Sequence, residues 1–267
     1  MSTAAKSLGS EAVLLRSDAG GVATLTLNRP AQFNALNEEL LDALFGALDA
    51  IGEDDTVRVV VMAANGKAFC AGHDLKQMRG SRSADYYQSL FSRSSDLMLR
   101  LLSLPQPVIA RVQGLATANG CNLVATCDLA VAASDVKLAV SGINYGLFCS
   151  TPSVGLARNV SRKRAFEMLV TGEFIDAETA RDYGLVNRVV PPDRLDDEVA
   201  ALCGKILSKS PVAVATGKRM FYEQVERSVR DAYAYASKVM VENMMCEDAA
   251  EGVDAFIEKR PPVWKGK

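Results

Sequence analysis

Two stretches of small residues, AFCAGHDLKQM (68–78) and GLATANGCNLVATC (114–127), hold the spacing on which chemistry would rest. Each reads as a tight turn leading directly into a helix. The first N–H groups of a helix have no internal partners, and the helix dipole makes them attractive to negative charge. One N–H from each turn, aimed at a common point, would form an oxyanion hole for an enolate or a tetrahedral intermediate. Small side chains suit that purpose, because a ligand carbonyl must approach the backbone closely. His73, the only histidine, lies in the first stretch. A serine nucleophile would need it as a base, and no Ser-His-Asp order can be read. Neither turn carries GxGxxG, so a dinucleotide fold has no support. The cysteines at 70, 121, 127, 149, 203 and 246 include no CxxC pair, and one histidine leaves a zinc site short of ligands. Buried, reduced thiols and no metal are expected.

Alternating strands and helices must position these turns. GVATLTLNRP (21–30) and the β-branched run VRVVVMAA (57–64) read as strands, the second buried as parallel strands are. Between them Asn37 can cap a helix whose Leu40, Leu41, Leu44, Leu48 and Ile51 share one face. A mixed helix follows the first turn to about residue 104. PVIARVQG (107–114) and DLAVAAS (128–134) then read as strands flanking the second turn. This is a layered α/β core rather than a sandwich. Beyond residue 161 helices dominate, with one strand, LVNRVV (185–190). From Pro211 the helices are long and amphipathic and carry Met240, Met244 and Met245. Such an arm buries its apolar face on the core or on another copy. The division expected is a core of residues 1–205 and a helical oligomerisation region of 206–267.

With 267 residues and 49% hydrophobic content the chain can bury a sizeable core. A net charge of -2 without a basic block argues against nucleic acid. No apolar run reaches membrane-spanning length, and the start lacks a signal-peptide stretch. A cytoplasmic protein is expected.

The two turns, with RPAQFNAL before them and CDLAVAASDVKLAVSGINYGL after them, resemble the crotonase (enoyl-CoA hydratase/isomerase) superfamily. The similarity runs on through RAFEMLVTGEFIDAETARDYGLVNRVVP and AFIEKRPPVW, nearly the whole chain. GHDL, the TA-x-GC turn and GLFCSTP resemble the group of enoyl-CoA hydratase domain-containing protein 3. The resemblance implies an α/β spiral of ββα units forming two nearly perpendicular sheets. It also implies a C-terminal helical region for trimers or hexamers, and acyl-CoA processing in fatty-acid metabolism. CoA would enter as part of the thioester substrate, with no permanently bound cofactor.

The same resemblance puts the oxyanion N–H groups on His73 and Asn119, with Gly120 beside them in the substrate site. The imidazole itself is expected to be packed or solvated beside the pocket. Gln32 and Phe33 match the loop along the CoA pyrophosphate and pantetheine. Ala68, Ala71, Asp74 and Leu75 match the segment around adenine and the pantetheine tunnel. Lys259 sits where a neighbouring subunit's last helix can reach CoA phosphates, or it is an ordinary solvated lysine. Tyr145 is placed at the acyl pocket.

The three positions where relatives carry catalytic acids read Asn122, Gly142 and Ser150. An amide is no base, and a glycine at 142 offers only space. Two-carboxylate hydration and single-base isomerisation therefore lack their groups. Ser141 and Cys149 occupy positions that flank the substrate carboxylate in a related decarboxylase. Three readings stay open. One is a hydratase/isomerase-like enzyme working through an enolate. The others are a CoA-thioester decarboxylase or hydrolase, and an acyl-CoA binder without turnover.

Overall fold

The structure is a computed structural model and describes residues 12–267; the expectations about MSTAAKSLGSE lie outside the described residues. Strand β1 (Leu14–Ala19) turns back antiparallel into β2 (Val22–Leu27), where Ala23, Leu25 and Leu27 face inward. The Asn37 side chain accepts the Leu40 N–H and starts α1 (Glu38–Gly52), and all five residues of the expected apolar face are buried. Next come β3 (Val59–Ala64), buried throughout, and β4 (Ala68–Cys70). The stretch read as one mixed helix to residue 104 is two helices, α2 (Leu75–Gly80) and α3 (Ala84–Ser103). The break falls where the Ser83 hydroxyl accepts the Tyr86 N–H and caps a new start.

The same order then repeats as β5 (Val108–Val112), β6 (Leu115–Thr117) and α4 (Asn119–Thr126). It repeats again as β7 (Leu129–Ala133), β8 (Lys137–Ala139) and α5 (Ser150–Asn159). In each repeat the first strand joins one sheet and the second strand the other. Helix α6 (Arg162–Thr171), β9 (Ile175–Asp176), α7 (Ala177–Tyr183), β10 (Arg188–Val190) and α8 (Leu195–Leu207) complete both layers. One sheet runs β1-β2-β3-β5-β7-β10 and the other β4-β6-β8-β9. Each sheet is parallel except for one terminal pair, β1 with β2 and β8 with β9. The spiral of ββα units is thus borne out. Strands β4, β6, β8 and β9 are two or three residues long, too short to show any period in a sequence.

Helices α9 (Pro211–Val225), α10 (Val229–Met244) and α11 (Glu247–Glu258) follow. Helix α9 is pinned to the core by Lys218, whose buried Nζ donates to the carbonyls of Leu101 and Gln106 and to Asp128. The other Asp128 bond on that carboxylate oxygen comes from the Val108 N–H at 2.6 Å. Helices α10 and α11 leave Tyr233, Met240, Met244, Phe256 and Ile257 exposed, Phe256 by 86%. All six cysteines are free thiols; five are buried and Cys246 is half-buried. No single helix among the described residues is long and apolar enough to cross a membrane.

Candidate active site

Arg29 and Asn34 knit together the first turn. Asn34 is fully buried with φ of 53°, and its side chain takes the Arg29 N–H at 2.8 Å. Its amide donates to the carbonyls of Asn65 and Ala68, each at 2.8 Å. The Arg29 guanidinium reaches the Ala35 carbonyl and the Asp74 carboxylate, the latter at 3.1 Å. Burial opposes the charge on Asp74, yet bonds from the Gln77 N–H, Arg29 and the Lys76 N–H prevail and hold it below the ordinary carboxylate value. Residues 33–36 then strap residues 71–74. Ala71 N–H donates to Phe33, Leu36 N–H to Gly72 and Asp74 N–H to Leu36.

This strap decides where His73 points. Helix α2 begins at Leu75 with Asp74 as its cap, so His73 stands outside the helix, a correction to the turn-into-helix reading. It forms a parallel bridge with Leu36 in which the bonds are made by its two neighbours. In such a bridge the central residue turns its own N–H away from the partner strand. The His73 N–H has no acceptor among the described residues. The second turn behaves as expected. Ala118, with φ of 49°, precedes α4, and Asn119 is its first residue with its N–H equally without an acceptor.

The two turns meet. Gly72 has φ of +88°, and a Cβ placed there would lie 3.1 Å from the Asn119 nitrogen and 2.9 Å from the Ala118 Cβ. A cavity of about 800 Å³ opens beside this junction. Of the expected site residues, Gln32, Phe33, Ala71, His73, Asp74, Leu75, Asn119, Ser141, Gly142, Tyr145, Cys149 and Ser150 line it. Ala68, Gly120, Asn122 and Lys259 do not. Ala68 is buried in β4, and Gly120 packs so tightly that a Cβ would fall 2.0 Å from the Cys70 carbonyl oxygen. Lys259 ends α11 in a left-handed conformation. The mouth is apolar, with Phe33, Leu75, Tyr145, Leu147, Phe148 and Phe174 all at least half exposed or nearly so.

The side chains of His73 and Asn119 turn into the protein. Both ring nitrogens of His73 are enclosed without a partner among the described residues, and the ring stands edge-on to Phe91 at 5.5 Å. Burial lowers its pKa to about 4, which leaves it neutral near pH 7. The Asn119 amide donates to the Ser94 hydroxyl at 2.6 Å and its oxygen accepts from Asn122 at 3.1 Å. Asn122 is thereby held between α4 and α5, where a Cβ on Gly155 would meet its oxygen at 2.4 Å. It faces α5 rather than the cavity.

Gly142 does not offer the space its size suggests, which corrects the sequence reading. A Cβ there would lie 2.7 Å from both the Cys149 Sγ and the Leu147 carbonyl oxygen. The loop closes on it, with Gly142 N–H donating to Cys149 Sγ and Leu147 N–H to the Gly142 carbonyl. Burial pushes the Cys149 thiol up, and the Gly142 N–H only partly offsets this. Ser150 begins α5 and its hydroxyl bonds the Phe148 carbonyl at 3.4 Å. Ser141 pairs with Thr117 at 2.7 Å, both buried in the cavity wall. No group of three or more His, Cys, Asp or Glu side chains placed to hold a metal occurs among the described residues.

Residues 17–267 match the enoyl-CoA hydratase/isomerase family. The chain belongs to the enoyl-CoA hydratase/isomerase family. The rat mitochondrial enoyl-CoA hydratase domain-containing protein 3 is 43% identical over 91% of this chain and 81% of that protein. A crystal structure of an enoyl-CoA hydratase from Mycobacterium smegmatis is 60% identical, with a TM-score of 0.94 over 95% of this chain and 99% of that one. The human enoyl-CoA hydratase domain-containing protein 3 structure is 40% identical, with a TM-score of 0.92 over 94% and 100%. The crotonase fold is therefore shown, and so is similarity to that group. The mitochondrial names of the relatives overturn the cytoplasmic expectation. Near-neutral charge and free thiols do not separate the two compartments.

Thr117, Ser94, Phe91, Gly155 and Asn34 belong to the site or its supports and were not singled out in the sequence. Only Asn34 left a signal there, as an asparagine in a proline turn able to adopt positive φ.

Proposed function

We propose that this family member binds an acyl-CoA thioester in the cavity and polarises its carbonyl on the N–H groups of His73 and Asn119. The observation that carries this reading is the junction of Gly72 with Asn119, where the two turns that bear these N–H groups, both without acceptors among the described residues, come together at the cavity wall. Each such donor contributes roughly 3–4 kcal/mol to stabilising a developing oxyanion. The reaction supported is of the hydratase/isomerase type, in which a thioester enolate forms. No carboxylate stands at positions 122, 142 or 150, so in this reading water entering the cavity takes up and returns the proton. The pyrophosphate and pantetheine of CoA lie along Gln32 and Phe33, its adenine near Ala71, Asp74 and Leu75, and the acyl group beneath Ser141, Tyr145 and Cys149.

A second reading, an acyl-CoA binder without turnover, is favoured by one observation. The positions of both hydratase acids are closed off, Gly142 by Cys149 and Leu147, and Asn122 by its place against Gly155. We also read α10 and α11 as the surface on which copies assemble into trimers or hexamers, given their exposed apolar residues. Lys259 then lies at that seam, in reach of a neighbour's CoA phosphates.

The test is infrared spectroscopy of hexanoyl-CoA, carbon-13 labelled at the thioester carbonyl, bound to the protein. The expected result is a carbonyl stretch lowered on binding. Binding without any lowering overturns the oxyanion assignment. Product analysis with crotonyl, hydroxyacyl and methylmalonyl thioesters separates enzyme from binder.

A further inference from the structure

Two hydroxyl groups carry two protons, and a pair uses one of them internally. The Thr117 and Ser141 hydroxyls are 2.7 Å apart, and either can be the donor. Whichever donates, the other proton has no acceptor among the described residues. The pair lines the cavity and stands close to the oxyanion corner. Thr117 is two residues before Asn119, and its carbonyl oxygen lies 3.2 Å from where a Gly72 Cβ would be. An acyl chain in this cavity therefore shares a wall with the pair.

The charges around the cavity narrow what can meet that proton. Among the described residues its charged lining side chains are Asp74 and Lys76. Asp74 is taken up by Arg29, and Lys76 is exposed at the mouth. The nitrogens of His73 are enclosed against Phe91 and do not open on the cavity. A carboxylate on the acyl chain would lose its water with no cation to replace it. An alkyl chain would leave the hydroxyl proton unpaired. An uncharged oxygen satisfies it.

We infer that Thr117 and Ser141 are specificity-determining residues that select an acyl-CoA thioester bearing an uncharged oxygen acceptor on its acyl chain. This rests on the reading of the cavity as a thioester site. It also bears on the reaction, because a malonyl-type substrate would bring a carboxylate into this uncompensated chamber.

Calorimetry with methoxyacetyl-CoA and butyryl-CoA tests it. The two acyl groups have the same number of heavy atoms and differ by one oxygen in place of a methylene, and neither can be hydrated or dehydrated. Methoxyacetyl-CoA is expected to bind about five- to tenfold more tightly to the wild type, the range of one neutral hydrogen bond. Thr117→Val combined with Ser141→Ala, which removes both hydroxyls, should abolish the difference, while Thr117→Ser, which keeps them, should retain it. Circular dichroism on each variant secures its fold. Equal affinities in the wild type overturn the inference and leave the thioester site standing. Succinyl-CoA binding more tightly than both overturns the requirement for an uncharged acceptor. Absence of binding by any thioester overturns the site reading, and the inference with it.

Discussion

The backbone of Gly72 and the Asn119 nitrogen are separated by less than one methyl group, since a Cβ on Gly72 would stand 3.1 Å from that nitrogen. Two turns from different repeats are therefore fitted at their closest approach, and the fit depends on a residue with no side chain. Gly72→Ala brings both a clash and a strained positive φ. It should lower stability by roughly 1–3 kcal/mol in urea unfolding. It should also erase the lowering of the bound thioester carbonyl stretch. A variant that keeps the full spectral shift would disprove the link between the junction and polarisation.

Gly142 should resist introduction of an acid. Gly142→Ala is expected to cost roughly 1–3 kcal/mol, because Cys149 Sγ and the Leu147 carbonyl already fill the place of its Cβ. Protein carrying both Asn122→Glu and Gly142→Glu should not hydrate crotonyl-CoA. Rapid loss of the enoyl absorbance by that double variant would show that the loop opens.

His73 makes the fold sensitive to acid. Its pKa is about 4 when folded against 6.5 ordinarily, so the unfolded chain binds more protons between those values. The stability involved is fully present above pH 6.5 and is lost as pH falls toward 4. The loss at pH 5 is about 2 kcal/mol. Denaturant melts at pH 7 and pH 5 should show that difference in the wild type and a clearly smaller one in His73→Phe.

Lys218→Met should destabilise by roughly 3–5 kcal/mol, because the Asp128 carboxylate is left buried without its cation. Replacing both partners, with Asp128→Asn added, should recover part of that loss. Guanidinium unfolding of the four proteins forms the cycle, and additive losses would mean the two groups are not coupled.

Asn34→Ala leaves the Asn65 and Ala68 carbonyls short of a donor and keeps a positive φ that alanine disfavours. Stability should fall by roughly 1–3 kcal/mol. Affinity for CoA thioesters should fall too, since the strap from Phe33 to Asp74 rests on this residue. Unchanged affinity in a folded variant would assign Asn34 to stability alone.

The α1 face and the buried β3 run were legible because their periods extend over many residues. Strands of three residues carry no period, so the second sheet came only from family resemblance. The turns themselves were legible from small residues, yet the position of His73 outside α2 was not. It depends on the capping of the helix by Asp74 and on the strap from Leu36, contacts between segments far apart in sequence. The same holds for Gly142, whose missing side chain reads as empty until Cys149 is seen to fill it. Asn122 shows the limit again, because its direction is fixed by Asn119 and Gly155, and its type alone says only that no acid stands there.

Lys218 follows Asp128 by 90 residues and Leu101 by 117. A ribosome adding roughly 5–20 residues per second leaves Asp128 without its cation for about 5–18 s. Until then the carboxylate that takes the Val108 N–H at the start of β5 has no cation beside it. Closing this joint thus waits on one amino group from a helix made long after both strands, and α10 and α11 come later still.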